Sequence, residues 1–267
     1  MITQTVPALS FVTIGLSLLS GIAIPLILLT VLVKKHGCRK LPFFVGCATF
    51  LLAVIVLEGA VHAVVLGGQQ GQTLMSKPLS YALYGGLMAG LFEETGRFVA
   101  YKFLYKKSDD DKTALAYGAG HGGFEAFYLL VISMITNLVF GIMINTGNTQ
   151  LLFAKADEAT AAAINQTLQT LCTTNPTVFL ISIIERIGAV AFHMSASVLV
   201  WFAVKNPKRW YLYPGAIVLH ALLDMIAAFG NSMGLPIMLI ELLLYIYAAL
   251  TVLLAVIVWK KEKEVNN

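Results

Sequence analysis

Residues 90–101 read GLFEETGRFVAY. Glu93, Glu94 and Arg97 fall close together in a stretch otherwise made of residues that tolerate hydrocarbon. An ionisable side chain inside a bilayer is costly unless it is paired, and it normally faces a bundle interior or a wet cavity. One span cannot shelter three such groups. The stretch therefore calls for further helices that bring partners to it, which makes the expected fold an all-α polytopic membrane bundle with a polar interior.

Composition agrees. The 267 residues are 58% hydrophobic and 12% charged, with a mean hydropathy of +0.81. Apolar runs of about 20 residues or more mark the integral membrane class. The net charge of +4 is mild, and nothing suggests a nucleic-acid groove. Cys38, Cys47 and Cys172 show no CxxC spacing, and an odd number of cysteines gives no disulfide framework. The first eight residues hold no Lys or Arg, and the apolar run that follows is long enough to span, so no cleavable signal peptide is expected.

Apolar runs of the required length predict about seven spans, at 8–33, 41–66, 79–104, 114–145, 177–204, 211–230 and 235–259. The connections alternate in charge. Lys34, Lys35, Arg39 and Lys40 fill the first; Lys106, Lys107 and Lys112, with Lys102 at the span's edge, fill the third. Lys205, Lys208 and Arg209 fill the fifth, and Lys260, Lys261 and Lys263 the tail, whereas the intervening loops hold only Lys77 and Lys155. Positive-inside logic puts the N-terminus outside and the C-terminus in the cytosol. No repeat or soluble insertion breaks the plan, so residues 1–267 read as one multi-pass domain of the cell membrane. The longest outer connection, 146–176, is Ala-rich, with Ile164, Leu168 and Leu171 at helical spacing, and predicts a short surface helix.

Polar residues within the spans concentrate in EETGR (93–97), HGGFE (121–125), FHMSAS (192–197) and HALLD (220–224). Counting residues from the span edges puts Glu93, Glu125, His193 and His220 all roughly 14–17 Å below the cytosolic boundary. Within each segment the polar groups stand four apart: Glu93 and Arg97, His121 and Glu125, His193 and Ser197, His220 and Asp224. That spacing shares a helix face and predicts an intrahelical ion pair for Glu93 and Arg97, and carboxylates that orient imidazoles. Glu94 points about 100° from Glu93, so one of the two faces the shared chamber while the other serves structure. Gly86 with Gly90, and Gly118 with Gly122, form GxxxG faces that allow the third and fourth spans to lie almost in contact. Ser197 reads as a packing residue, since nothing marks a base for it.

Neighbouring carboxylates in low dielectric cannot all ionise cheaply, and one that accepts a proton is a general base for water. Imidazoles at the same depth can share the proton, hydrogen-bond an oxyanion or ligate a metal. His121, His193 and His220 with the acids could assemble a zinc site. There is no HExxH, and a water-activating glutamate needs no metal, so both mechanisms stay open. A second polar group, Glu58, His62, Glu185, Arg186 and Glu241, is expected in the outer half as a structural ion-pair cluster apart from the first layer.

The chain resembles the YhfC-type membrane peptidases, within the larger superfamily of CAAX-processing and PrsW-like intramembrane proteases. That superfamily carries an EExxR or EExxK helix, a second helix with a His or Glu motif and a late HxxxN or HxxxD helix. Glu93, Glu94 and Arg97 match the first; His121 and Glu125 the second; His193 supplies a third; His220 and Asp224 match the last. The likeness covers a four-helix core at about 79–230. It implies hydrolysis of peptide bonds in membrane-associated proteins, with Glu93 and a histidine activating water and His220 with its partner at the oxyanion. Asp224 departs from HxxxN and favours the PrsW-like branch; ionised, it accepts hydrogen bonds and cannot donate one, so it is expected to orient His220 or bind metal. The implied partners are a membrane protein or peptide substrate and the lipid bilayer. Two other classes share the same residues: a proton- or metal-ion-coupled transporter, in which stacked acids and histidines form a relay, and a catalytically silent scaffold.

Overall fold

The computed structural model describes residues 4–266, and no strand occurs among them. The helices are α1 (Ala8–Thr30), α2 (Lys40–Phe50), α3 (Gly59–Leu66), α4 (Gln69–Met75), α5 (Pro78–Tyr105), α6 (Lys112–Asn145), α7 (Gln150–Phe153), α8 (Glu158–Thr173), α9 (Thr177–Lys205), α10 (Leu212–Ser232) and α11 (Ile237–Asn266). Residues Val31–Lys35 prolong α1 as π-helix, and the π-helical stretch Leu51–Glu58 joins α2 to α3.

Six segments are long and apolar enough to cross a membrane: Ala8–Lys35, Lys40–Leu66, Lys112–Asn145, Thr177–Lys205, Pro207–Ser232 and Ile237–Glu264. The protein is a multi-pass helical membrane protein. The seventh expected crossing corresponds to α5. Its 28 residues run about 42 Å at the usual helical rise. It carries four charged residues, Glu93, Glu94, Arg97 and Lys102, and three of them are buried in the protein.

The chain forms two compact units. One comprises the described residues up to Ile24 together with Ala126–Arg186. Its core contains Val6, Ile14, Met134, Ile144, Leu168, Leu171 and Phe179. Asn145 closes a two-bond clasp on Val6, accepting from its N–H at 2.8 Å and donating to its carbonyl at 3.0 Å. The expected surface helix is α8, which buries Leu168 and Leu171. Asp157 caps it by accepting from the Thr160 N–H at 2.8 Å, and the Thr160 hydrogen bonds hold its carboxyl below the usual range. Glu185 and Arg186 pair with each other in this unit.

The other unit comprises Pro25–Glu125 and Ile187 onward. Its largest core joins Tyr101, Tyr117, Leu199, Trp201 and Phe202. The third and fourth spans do not use their glycine faces on each other, contrary to the sequence expectation. A Cβ on Gly86 would stand 2.4 Å from the Ala221 carbonyl oxygen, and one on Gly90 2.6 Å from that of Ile217, so this face of α5 receives α10. A Cβ on Gly118 would meet Met194 Cα at 2.7 Å, and one on Gly122 would meet His193 Cβ at 3.0 Å, so this face of α6 receives α9. Each GxxxG face admits a helix that carries a histidine of the polar layer.

Candidate active site

All eight residues singled out from the sequence lie in the second unit. Glu93, Glu94 and Arg97 come from α5, His121 and Glu125 from α6, His193 from α9, and His220 and Asp224 from α10. Glu93, Glu94, Arg97, His121, His193 and His220 are all buried, none more than 6% exposed.

Three imidazoles converge on Glu93. His121 Nε2 lies 2.8 Å from Glu93 Oε2, His193 Nδ1 lies 3.9 Å from the same oxygen, and His220 Nε2 lies 3.8 Å from Glu93 Oε1. Two of these rings are held from behind by carboxylates. His220 Nδ1 stands 2.8 Å from Glu94 Oε1, and His193 Nε2 pairs with Glu125. An ionised carboxylate only accepts, so each of these ring nitrogens donates its N–H. Where such a ring is neutral, its nitrogen on the Glu93 side presents a lone pair. His121 is set edge-on to Phe50, with ring centroids 5.4 Å apart, and Phe192 lies edge-on to both His193 and His220.

The carboxylate partners are not those expected from spacing. His121 is met by Glu93 rather than Glu125, His193 by Glu125, and His220 by Glu94. Asp224, 38% exposed at its side chain, stands 3.7 Å from His220 Nε2, so the ring's short hydrogen bond comes from Glu94 on another helix. Arg97 likewise pairs with Glu94, its Nε 3.3 Å from Oε2, and not with Glu93. It also donates to the His193 carbonyl at 2.8 Å and to Ser197 Oγ at 2.9 Å, and its second amino group is 3.2 Å from His193 Nδ1. Ser197 thus accepts from Arg97, in keeping with its reading as a packing residue. Glu94 thus pairs with Arg97 and His220, while Glu93 faces the rings of His121, His193 and His220.

Tyr117 was missed from the sequence. It is buried, stacks over His121 with centroids 6.0 Å apart, and lies 5.9 Å from the Arg97 guanidinium. Its spacing four residues before His121 was visible, but an aromatic ring in an apolar span carries no mark that separates core from lipid face. The position of Glu58 also differs from expectation. It lies in electrostatic range of Glu93, His220 and Asp224, not in a layer apart. Its oxygen Oε1 pairs with His62 Nε2 at 3.1 Å, and His62 Nδ1 is 2.9 Å from the Tyr84 hydroxyl. The preceding π-helical residues shorten the rise that places it.

The donor set fits a zinc ion. One ligand atom each from Glu93, His121 and His193 lie within 4.8 Å of one another. Tetrahedral zinc holds N and O ligands at about 2.0–2.2 Å, which separates neighbouring ligand atoms by roughly 3.4 Å. The closure needed is small, and Glu125 behind the His193 ring is the usual outer support of such a ligand. Of the three histidines and the acids expected at a zinc site, Glu93, His121 and His193 form this group, while His220 Nε2 stands 3.8 Å from Glu93 Oε1 and its Nδ1 is tied to Glu94.

The family model described as YhfC intramembrane metalloprotease matches residues 20–245 of the chain. A relative from Bacillus subtilis (strain 168), described as an uncharacterized membrane protein YhfC, is 37% identical over 193 residues, covering 72% of this chain and 74% of the relative. No solved structure matches the chain.

Proposed function

The chain belongs to the YhfC intramembrane metalloprotease family, and on that premise we propose that it hydrolyses peptide bonds of membrane-associated proteins at the Glu93 cluster. The observation that carries the reading is the convergence of His121, His193 and His220 on one buried carboxylate, two of the rings being backed by carboxylates of their own. Glu93, His121 and His193 would hold a zinc ion, which when bound supplies Lewis acidity and acidifies water. Glu93 Oε1 accepts the proton of the attacking water and returns it to the departing amine nitrogen. Glu94 fixes the tautomer and angle of His220 beside that oxygen. Glu125 does the same for His193. Arg97 positions α9 and neutralises Glu94. Asp224, at the exposed edge, meets the substrate as it approaches His220. Burial excludes bulk water, so the groups act in a medium where their fields are strong.

The test compares membrane-proteome fragments from cells expressing the wild type, Glu93→Gln or His121→Ala, alongside zinc measured on each purified protein. The expected result is fragments present only with the wild type, and zinc lost with His121→Ala. Identical fragments from all three strains would reject the peptidase reading. Unchanged cleavage by a wild type stripped of metal would leave a glutamate mechanism without zinc. The Tyr84–His62–Glu58 chain beside the cluster favours a second reading, an ion-coupled transporter. Proton or metal flux into liposomes that disappears with Glu58→Gln is the outcome that selects it.

A further inference from the structure

A groove of about 350 Å³ runs between α9 and α11, within the size range of small-ligand pockets, roughly 300 Å³ and above. Met194, Ser195 and Val198 of α9 face Val252, Val256 and Lys260 of α11 across it. Ser195 spends its hydroxyl inside its own helix, donating to the Ala191 carbonyl at 2.8 Å, so it adds little polarity to the wall. No carboxylate lines the groove. The walls offer hydrocarbon along their length and one cation, Lys260, in the last turns of α11.

Of the nearby cations, Lys205 pairs with Asp111 at 2.7 Å, Arg209 pairs with Glu262, and Lys263 lies 5.4 Å above the Trp259 ring, while Lys261 lines a different surface pocket with Arg209 and Glu262. Lys260 is exposed and has no ion pair among the described residues. A cation with an indole beside it at a helix end is the usual furniture of the headgroup region. A second helix would seat poorly here, because close helix approach in a membrane favours faces of small residues, and Ala191, Ser195 and Ala255 share this lining with the bulkier Leu115, Met194, Trp259 and three valines.

We propose that this groove binds one anionic phospholipid, an acyl chain lying between α9 and α11 and the phosphate resting on Lys260. The charge is complementary, the volume suits a chain rather than a helix, and the bilayer supplies the ligand. The site is separate from the Glu93 cluster, and its test needs no peptidase activity.

The experiment is native mass spectrometry and thermal melting of the full chain in detergent with phosphatidylglycerol or phosphatidylcholine of identical chains. Phosphatidylglycerol is expected to be retained, and to raise Tm, at several-fold lower concentration. Lys260→Glu, an exposed change that leaves the core alone, should erase that preference. Lys263→Glu, the same charge change off the groove, should keep it. Val256→Trp, which fills the groove from its open side, should weaken retention several-fold. Equal retention of the two lipids would overturn the proposal, as would equal losses from Lys260→Glu and Lys263→Glu. So would competition by glycerol phosphate alone, since the chain groove would then play no part.

Discussion

Glu93 and Glu94 are neighbours in the chain, yet a helix turns them about 100° apart and hands them different partners. Glu94 meets Arg97 and His220; Glu93 meets His121 and, at longer range, His193 and His220. Their variants should therefore fail in different ways. Glu94→Ala leaves the Arg97 guanidinium, fully buried, without its counter-charge. Removing one partner of a buried pair costs about 3–5 kcal/mol. The expected result is a protein that melts far below wild type in detergent. Glu93→Gln keeps the Glu94–Arg97 pair and the volume of the side chain, so it should melt close to wild type while losing activity. Thermal unfolding of the two purified variants checks this. If Glu93→Gln is as unstable as Glu94→Ala, the division of labour between them is wrong.

At the scale of elements, the same glycines that make two helix contacts possible also place two histidines. A Leu at Gly90 would drive its Cβ toward the Ile217 carbonyl oxygen at 2.6 Å and the Ala221 nitrogen at 3.0 Å, both backbone atoms that cannot move aside alone. Gly85 has open space around the same construction. Gly90→Leu should then cost about 1–3 kcal/mol or more by overpacking, and Gly85→Leu should be near neutral; the melting temperatures of both variants measure the difference. These contacts also mark what the sequence could and could not say. The spans were legible because hydrocarbon demands uninterrupted apolar length, and the structural helices begin and end close to the predicted edges. Eight polar residues were legible as misfits in those spans. Their partners were not. Spacing finds neighbours on one helix, whereas His121–Glu93, His193–Glu125 and His220–Glu94 are pairings across helices. Glu58 was misplaced for a local reason: the seven residues before it, LLAVIVL, are all apolar and do not betray π-helical winding, so counting at the α-helical rise set it too far from the cytosolic boundary.

For the whole molecule, the asymmetry of Lys and Arg between alternate connections decides which way the cluster opens. Basic segments near span ends are retained on the cytosolic side. The 106–112 segment holds three lysines, whereas the 146–176 connection holds only Lys155. Asp109 and Asn148 lie beyond opposite ends of α6 and both are exposed. The native thiols leave little background, since Cys38 is 4% and Cys172 9% exposed, and Cys47, half-buried, lies within the Lys40–Leu66 membrane segment. Asp109→Cys and Asn148→Cys, labelled in intact cells with a membrane-impermeant maleimide, therefore report the two faces separately. Asn148→Cys should react in intact cells and Asp109→Cys only after lysis. That outcome puts the Glu93 layer about 14–17 Å beneath the cytosolic surface by helical rise, and the proposed substrate bond with it. The opposite labelling would invert the protein, turn the cluster toward the outside, and move the search for its substrates to the other leaflet.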